Sequence, residues 1–159
     1  MHDFYCKPVL IGSLPMTSHA EALDIIFDHT PSIPLWPQLP KFATESMVRQ
    51  FADGLPGLTE NDASFYIQTD SPTYTDEMAS FYEDYLNVCE NGFSSVNNRF
   101  SLTSETANGF YVLLERVAQR KDRFLTLKGQ VTGPMTTGIG IRNQEGSSIF
   151  YDGNLRDVV

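Results

Sequence analysis

The sequence predicts an α/β protein assembled from parallel β-loop-α units. Short apolar runs rich in β-branched residues recur along the chain, loops of Gly and Pro follow them, and stretches with apolar residues at helical spacing come next. Parallel strand neighbours need a crossover of a dozen or more residues, which such helical stretches supply. Two architectures satisfy this rhythm: a doubly wound sheet and part of a (β/α)8 barrel.

The elements follow in order. Val9 to Ile11 reads as a strand that ends at GSLP, where Gly12 and Pro15 force a turn. Ser18-His-Ala-Glu21 has capping-box spacing and precedes a helix with Ala22, Ile25, Ile26 and His29 on one face. Ile33 to Trp36 is a second strand, PQLPK its exit loop, and Ala43 to Ala52 a helix with Met47, Val48 and Phe51 inward. Ala63 to Ile67 is a third strand. It leads through TDSPTYTDE to a helix whose inward face is Met78, Phe81, Tyr82, Tyr85, Leu86 and Cys89.

Asn91-Gly92 stops that helix, and Ser94 to Val96 is a further short strand. Ser104 to Arg120 is a helix with Phe110, Leu113, Leu114 and Val117 inward, and its basic end at Arg116, Arg120 and Lys121 suits the helix dipole. Phe124 to Lys128 is the next strand, and GQVTGPMT is its exit loop. After Ile149-Phe-Tyr151, the stretch from Asp152 to Val159 reads as the first two turns of a capped helix. Such a helix is expected to continue and to bury Leu155, Val158 and Val159 against a next strand, so the chain reads as the N-terminal portion of a longer protein.

With 159 residues, 41% of them hydrophobic and 12% aromatic, the chain can bury a core as one domain spanning 1–159. A full barrel takes about 250 residues, so this length holds around four or five of its units. Eleven basic against twenty acidic residues, a net charge of -9, leave a poor footprint for nucleic acid. No signal peptide or membrane span is visible, and a soluble cytoplasmic protein is expected. Cys6 and Cys89 stand alone, outside any CxxC pattern, and read as reduced thiols with Cys89 on a helix face, while His2, His19 and His29 lack metal-ligand spacing and read as surface or packing residues.

Four strings, IGSLP, LWPQLP, LKGQVTGPMT and GSSIFYDGNLRDVV, follow in order between residues 11 and 159. Together they resemble the first half of the barrel domain shared by cobalamin-independent methionine synthases and uroporphyrinogen decarboxylase-like proteins. The likeness is closest to the methionine-synthase-like branch, in which Lys-Gly-x-x-Thr-Gly-Pro-x-Thr is characteristic. It implies the first half of a TIM (β/α)8 barrel, truncated, and methyl transfer to a thiol such as homocysteine in the intact protein.

The resemblance also implies site residues. Ile11, Gly12 and Ser13 would contact an amino acid substrate through backbone and hydroxyl groups, as a close-approach glycine and a serine allow. Trp36 would be a pocket wall. Gln38 stands where the family has the Glu of a Gly-Glu-Pro that binds the substrate amino group, and an amide brings no negative charge to an ammonium. Lys128, Gln130 and Thr132 would line the mouth, with Lys128 either an anion contact or a tie to loop carbonyls. The methionine synthases activate their thiol on zinc. This sequence has no His-x-Cys pair, so no zinc is expected on this chain, and zinc belongs to a full-length relative. Between Gly12 and Lys41 there is no Arg to meet porphyrin carboxylates, so the decarboxylase branch is a relative in fold.

Three readings stay open on the sequence. The chain may be read as the N-terminal half of a methionine-synthase-like methyltransferase, inactive alone, with small-molecule thiol and methyl donor as ligands of the intact protein. It may also be read as an accessory half-barrel that binds a partner chain or small ligand, or as a fragment stabilised by self-association through uncovered strand edges.

Overall fold

A computed structural model describes residues 6–61, 64–92, 99–120 and 124–159. Among them are four α-helices and one two-stranded antiparallel sheet. The predicted half barrel of parallel β/α units is therefore incorrect. Two separate compact units replace it, one built from residues 1–50 and 103–131, the other from 51–102 and 132–159.

In the first unit, helix α1 (His19–His29) is capped by Ser18, whose hydroxyl accepts from the Glu21 N–H at 3.3 Å. Its buried face is Ala22, Leu23, Ile26 and Phe27. Helix α3 (Asn108–Gln119) packs on α1 through Leu113, and Arg116 pairs with Asp24 at 2.7 Å. The Arg120 guanidinium lies 4.3 Å from the centre of the Phe27 ring. Leu114, predicted inward, is exposed.

The predicted first, second and later strands of this unit form no ladder. They meet through single parallel bridges, Ser13 with Gln38 and Leu35 with Lys128. The prolines explain this. In a regular strand, residues two apart direct their N–H groups to the same neighbour. Here the Trp36 N–H donates to Lys128 O at 3.0 Å, while the Gln38 N–H donates to Gly12 O at 2.9 Å. The backbone therefore turns over at Pro37, which has no N–H, and neither pairing can propagate. The predicted helix over Ala43 to Ala52 is likewise two 3-10 turns, Ala43–Glu45 and Arg49–Phe51, separated by an extended Ser46. Met47 is exposed instead of inward.

In the second unit, β1 (Leu58–Glu60) and β2 (Phe65–Ile67) pair antiparallel, with Leu58 opposite Ile67 and Glu60 opposite Phe65. The predicted third strand is thus half of a hairpin, its turn closed by the Ser64 N–H on Asn61 Oδ1 at 2.8 Å. Ala63 and the predicted strand Ser94 to Val96 lie outside the described residues, as do His2 and Lys121.

Helix α2 (Tyr74–Asn91) forms as the periodicity predicts, but it buries a different stripe. Of the expected inward face only Phe81 is buried, and Tyr82, Tyr85, Leu86 and Cys89 are exposed. Arg99 draws the other side in. Its guanidinium donates to Asp84 at 2.6 Å and to Ser80 at 2.8 Å, and stands 5.8 Å from the centre of the Phe81 ring. Apolar spacing alone could not register an arginine fifteen residues away.

Glu77 on the same stripe accepts from Thr73 Oγ1 and from the Gly57 N–H, both at 2.7 Å. The Thr73 and Gly57 hydrogen bonds, in that order, hold its carboxyl below the ordinary glutamate value. A lowered folded value stabilises the protein above the unfolded pKa, near ~4.3, and this stabilisation is lost as pH falls through the folded value. Urea unfolding of Glu77→Gln should accordingly show a deficit against wild type at neutral pH that closes as pH falls through the lowered folded value. A deficit that stays constant with pH would refute the assignment.

GQVTGPMT does not run out as a loop. Pro134 opens helix α4 (Pro134–Gly140) at its first position, where a missing N–H costs nothing. The Thr137 hydroxyl donates back to Gly133 O at 3.1 Å. Two glycines and two threonines in seven residues hid this helix from a propensity reading. The expected C-terminal helix is replaced by 3-10 turns at Ile149–Tyr151 and Arg156–Val158. Asp152 caps as expected, accepting from the Asn154 and Leu155 N–H groups, but Gly153 and Asn154 are poor helix formers. Leu155 is buried, and Val158 and Val159 are half-buried. Among the described residues no helix is long and apolar enough to cross a membrane.

Candidate functional site

Seven of the eight residues nominated from the sequence fall in the first unit, Ile11, Gly12, Ser13, Trp36, Gln38, Lys128 and Gln130. The bridges from Ser13 to Gln38 and from Leu35 to Lys128 draw together the three segments that carry them. Gly12 has φ +124°, a conformation that favours glycine, and the Gln130 carboxamide lies flat over its Cα. A Cβ at Gly12 would stand 2.9 Å from Gln130 Nε2 and 3.1 Å from Oε1. Ser13 and Ile11 are exposed beside it, Ile11 to 77%.

Gln38 is buried between two other glutamines. Its Oε1 accepts a short hydrogen bond from Gln130 Nε2, and its Nε2 donates to Gln50 Oε1 at 3.3 Å and to the Gln130 carbonyl at 3.5 Å. Lys128 ties rather than reaches: its Nζ donates to Leu10 O at 2.7 Å and Ile11 O at 3.0 Å. Of its two expected roles, these contacts are those of the structural one. Trp36, expected as a pocket wall, is 3% exposed and tilts against Phe110 with ring centres 5.3 Å apart, as a core residue does.

Thr132 belongs to the second unit. There it lines a cleft of about 260 Å3 with Phe51, Leu55, Pro134, Thr137, Val158 and Val159.

Comparison with protein-family models, curated proteins and solved structures finds no match.

Sequence reasoning passed over Gln50 and the surroundings of His19. Gln50 is buried, and its one sequence signal is that it occupies the polar position between Met47 and Phe51 at helical spacing. His19, read as a surface or packing residue, has a side chain only 11% exposed and bonds Glu45 Oε1 at 2.6 Å through Nε2. The Asn108 amide nitrogen stands 3.2 Å from His19 Nδ1. An amide nitrogen only donates, so Nδ1 accepts and Nε2 carries the hydrogen that goes to Glu45. Glu45 Oε2 accepts in turn from the Leu39 N–H at 3.0 Å, and Phe42 stacks on the imidazole at 5.5 Å. His19, Phe42, Glu45 and Asn108 line a cleft of about 240 Å3 with Thr44, Ser104 and Glu105. No spacing rule links residues 26 positions apart.

Among the described residues no three His, Cys, Asp or Glu side chains are grouped to hold a metal ion.

Proposed function

We propose that the chain carries a small-molecule-binding edge of a methionine-synthase-like methyltransferase, with an amino-acid-type thiol such as homocysteine as its ligand. The observation that carries this reading is the Gln38–Gln130 amide pair laid over Gly12 and bridged to Ser13. It joins the residues of IGSLP, LWPQLP and LKGQV that the resemblance nominates. An amide pair with Gln38 buried and Gln130 half-buried offers oriented hydrogen bonding without charge, and the exposed Ser13 hydroxyl both donates and accepts. Binding and orientation are what these side chains supply. Proton transfer and thiol activation are assigned to none of them.

Isothermal titration calorimetry with L-homocysteine tests the proposal. Wild type is expected to bind saturably, and Ser13→Ala and Gln38→Ala to weaken binding about three- to tenfold each, the size of one or two hydrogen bonds. Absence of binding by wild type, or binding untouched by both substitutions, would refute it.

A further inference from the structure

The three glutamines form a chain with a fixed direction, and its anchor is Gln50. Gln50 Nε2 faces two backbone carbonyls, Glu45 O at 3.4 Å and Ser46 O at 3.3 Å. A carboxamide turned the other way would set its oxygen against both of them, so the nitrogen must point there and Oε1 must point to Gln38. That choice sets the next one. Gln38 has to present Nε2 to Gln50 Oε1, which leaves its Oε1 for Gln130. Gln130 then has to present Nε2 to Gln38, and its own Oε1 is left over beside Gly12. Among the described residues no donor is set against Gln130 Oε1.

We infer that Gln50 is a positioning residue that acts through Gln38 to make Gln130 Oε1 a hydrogen-bond acceptor for a donor group of the ligand, an amine or hydroxyl. This rests on the binding reading above and sharpens it. The relay selects ligands by a donor at that point, through a neutral oxygen. Gln50 is 2% exposed, so any influence on the ligand passes through the amides. With Gln50 replaced, only the 3.5 Å contact from Gln38 Nε2 to the Gln130 carbonyl still sets the direction, and Gln38 and Gln130 are freer to rotate together and present a donor to the ligand instead.

The test compares L-homocysteine with 4-mercaptobutyrate, which keeps the thiol and carboxylate but lacks the amine. Calorimetry on wild type should favour homocysteine about three- to tenfold, the size of one hydrogen bond. Gln50→Met, similar in shape, should lose this preference while binding 4-mercaptobutyrate as wild type does. A merely structural role for Gln50 would lower both affinities alike, and an unchanged preference in Gln50→Met would overturn the inference. Hydrogen exchange of the glutamine side-chain amides in ligand-free wild type decides the relay independently of any ligand and of how the variant folds. Slow exchange is expected at Gln50 and Gln38, and exchange at Gln50 as fast as in a free glutamine would overturn the relay. Failure of wild type to bind either thiol, with the Gln50 amide still protected, would count against the methyltransferase reading and leave the relay standing.

Discussion

Gly109→Ala should destabilise the protein by about 3 kcal/mol or more, at the upper end of what overpacking usually costs. Gly109 sits in the first turn of α3 and is buried. A Cβ there would stand 1.9 Å from the carbonyl oxygen of Pro37 and 3.3 Å from His19 Cδ2. The nearer atom is backbone, held in the segment that crosses from Lys128 to Gly12, so a rotamer change cannot make room. Either α3 moves off or the Pro37 turn opens, and both disturb the pairing of Gln38. Gly129→Ala is the control, since nothing lies within 4 Å of a Cβ at that position. Its effect should stay within ~0.5 kcal/mol, the usual range for surface substitutions. Urea unfolding of the two variants separates the outcomes, and equal stabilities would refute the close approach.

Glu45→Ala is the second large effect, about 2–4 kcal/mol, because it strands two donors, one of them on the fully buried Leu39. The Leu39 N–H and His19 Nε2–H both end on this carboxylate, and Leu39 is fully buried. Each unpartnered buried donor costs about 1–3 kcal/mol. Glu45→Gln keeps one acceptor oxygen, so it can serve Leu39 or His19 but not both in the present tautomer, and its cost should be roughly half. Denaturant unfolding ranks them: wild type most stable, Glu45→Gln next, Glu45→Ala least. A Glu45→Gln variant as unstable as Glu45→Ala would mean that the charge matters more than the hydrogen-bond count.

Local features were legible in the sequence where one segment decides them. Ser18 caps α1 as its spacing to Glu21 indicates, and the long apolar period announces α2. What failed is what depends on distant partners. The parallel sheet was inferred from β-rich runs, yet Pro37 turns the second run over, so its bonds pass from one neighbour to another and no ladder grows. The inward face of α2 was misjudged because Arg99 rotates the helix toward Ser80 and Asp84. At the candidate site, the motif residues from Ile11 to Gln130 came from the resemblance. Gln50, Glu45 and Asn108 did not, since a buried polar residue is recognisable only from the donors and acceptors around it.

The edge formed by Gly12, Ser13, Gln38 and Gln130 is proposed to receive a small thiol-bearing ligand. Backbone and side-chain amide chemical shifts followed through a titration with L-homocysteine test it most directly, because they locate binding as well as detect it. Saturable changes are expected at these four residues with one common midpoint, and smaller changes at Gln50 behind them. Saturable changes confined to other parts of the chain, or none at all up to millimolar ligand, would contradict it.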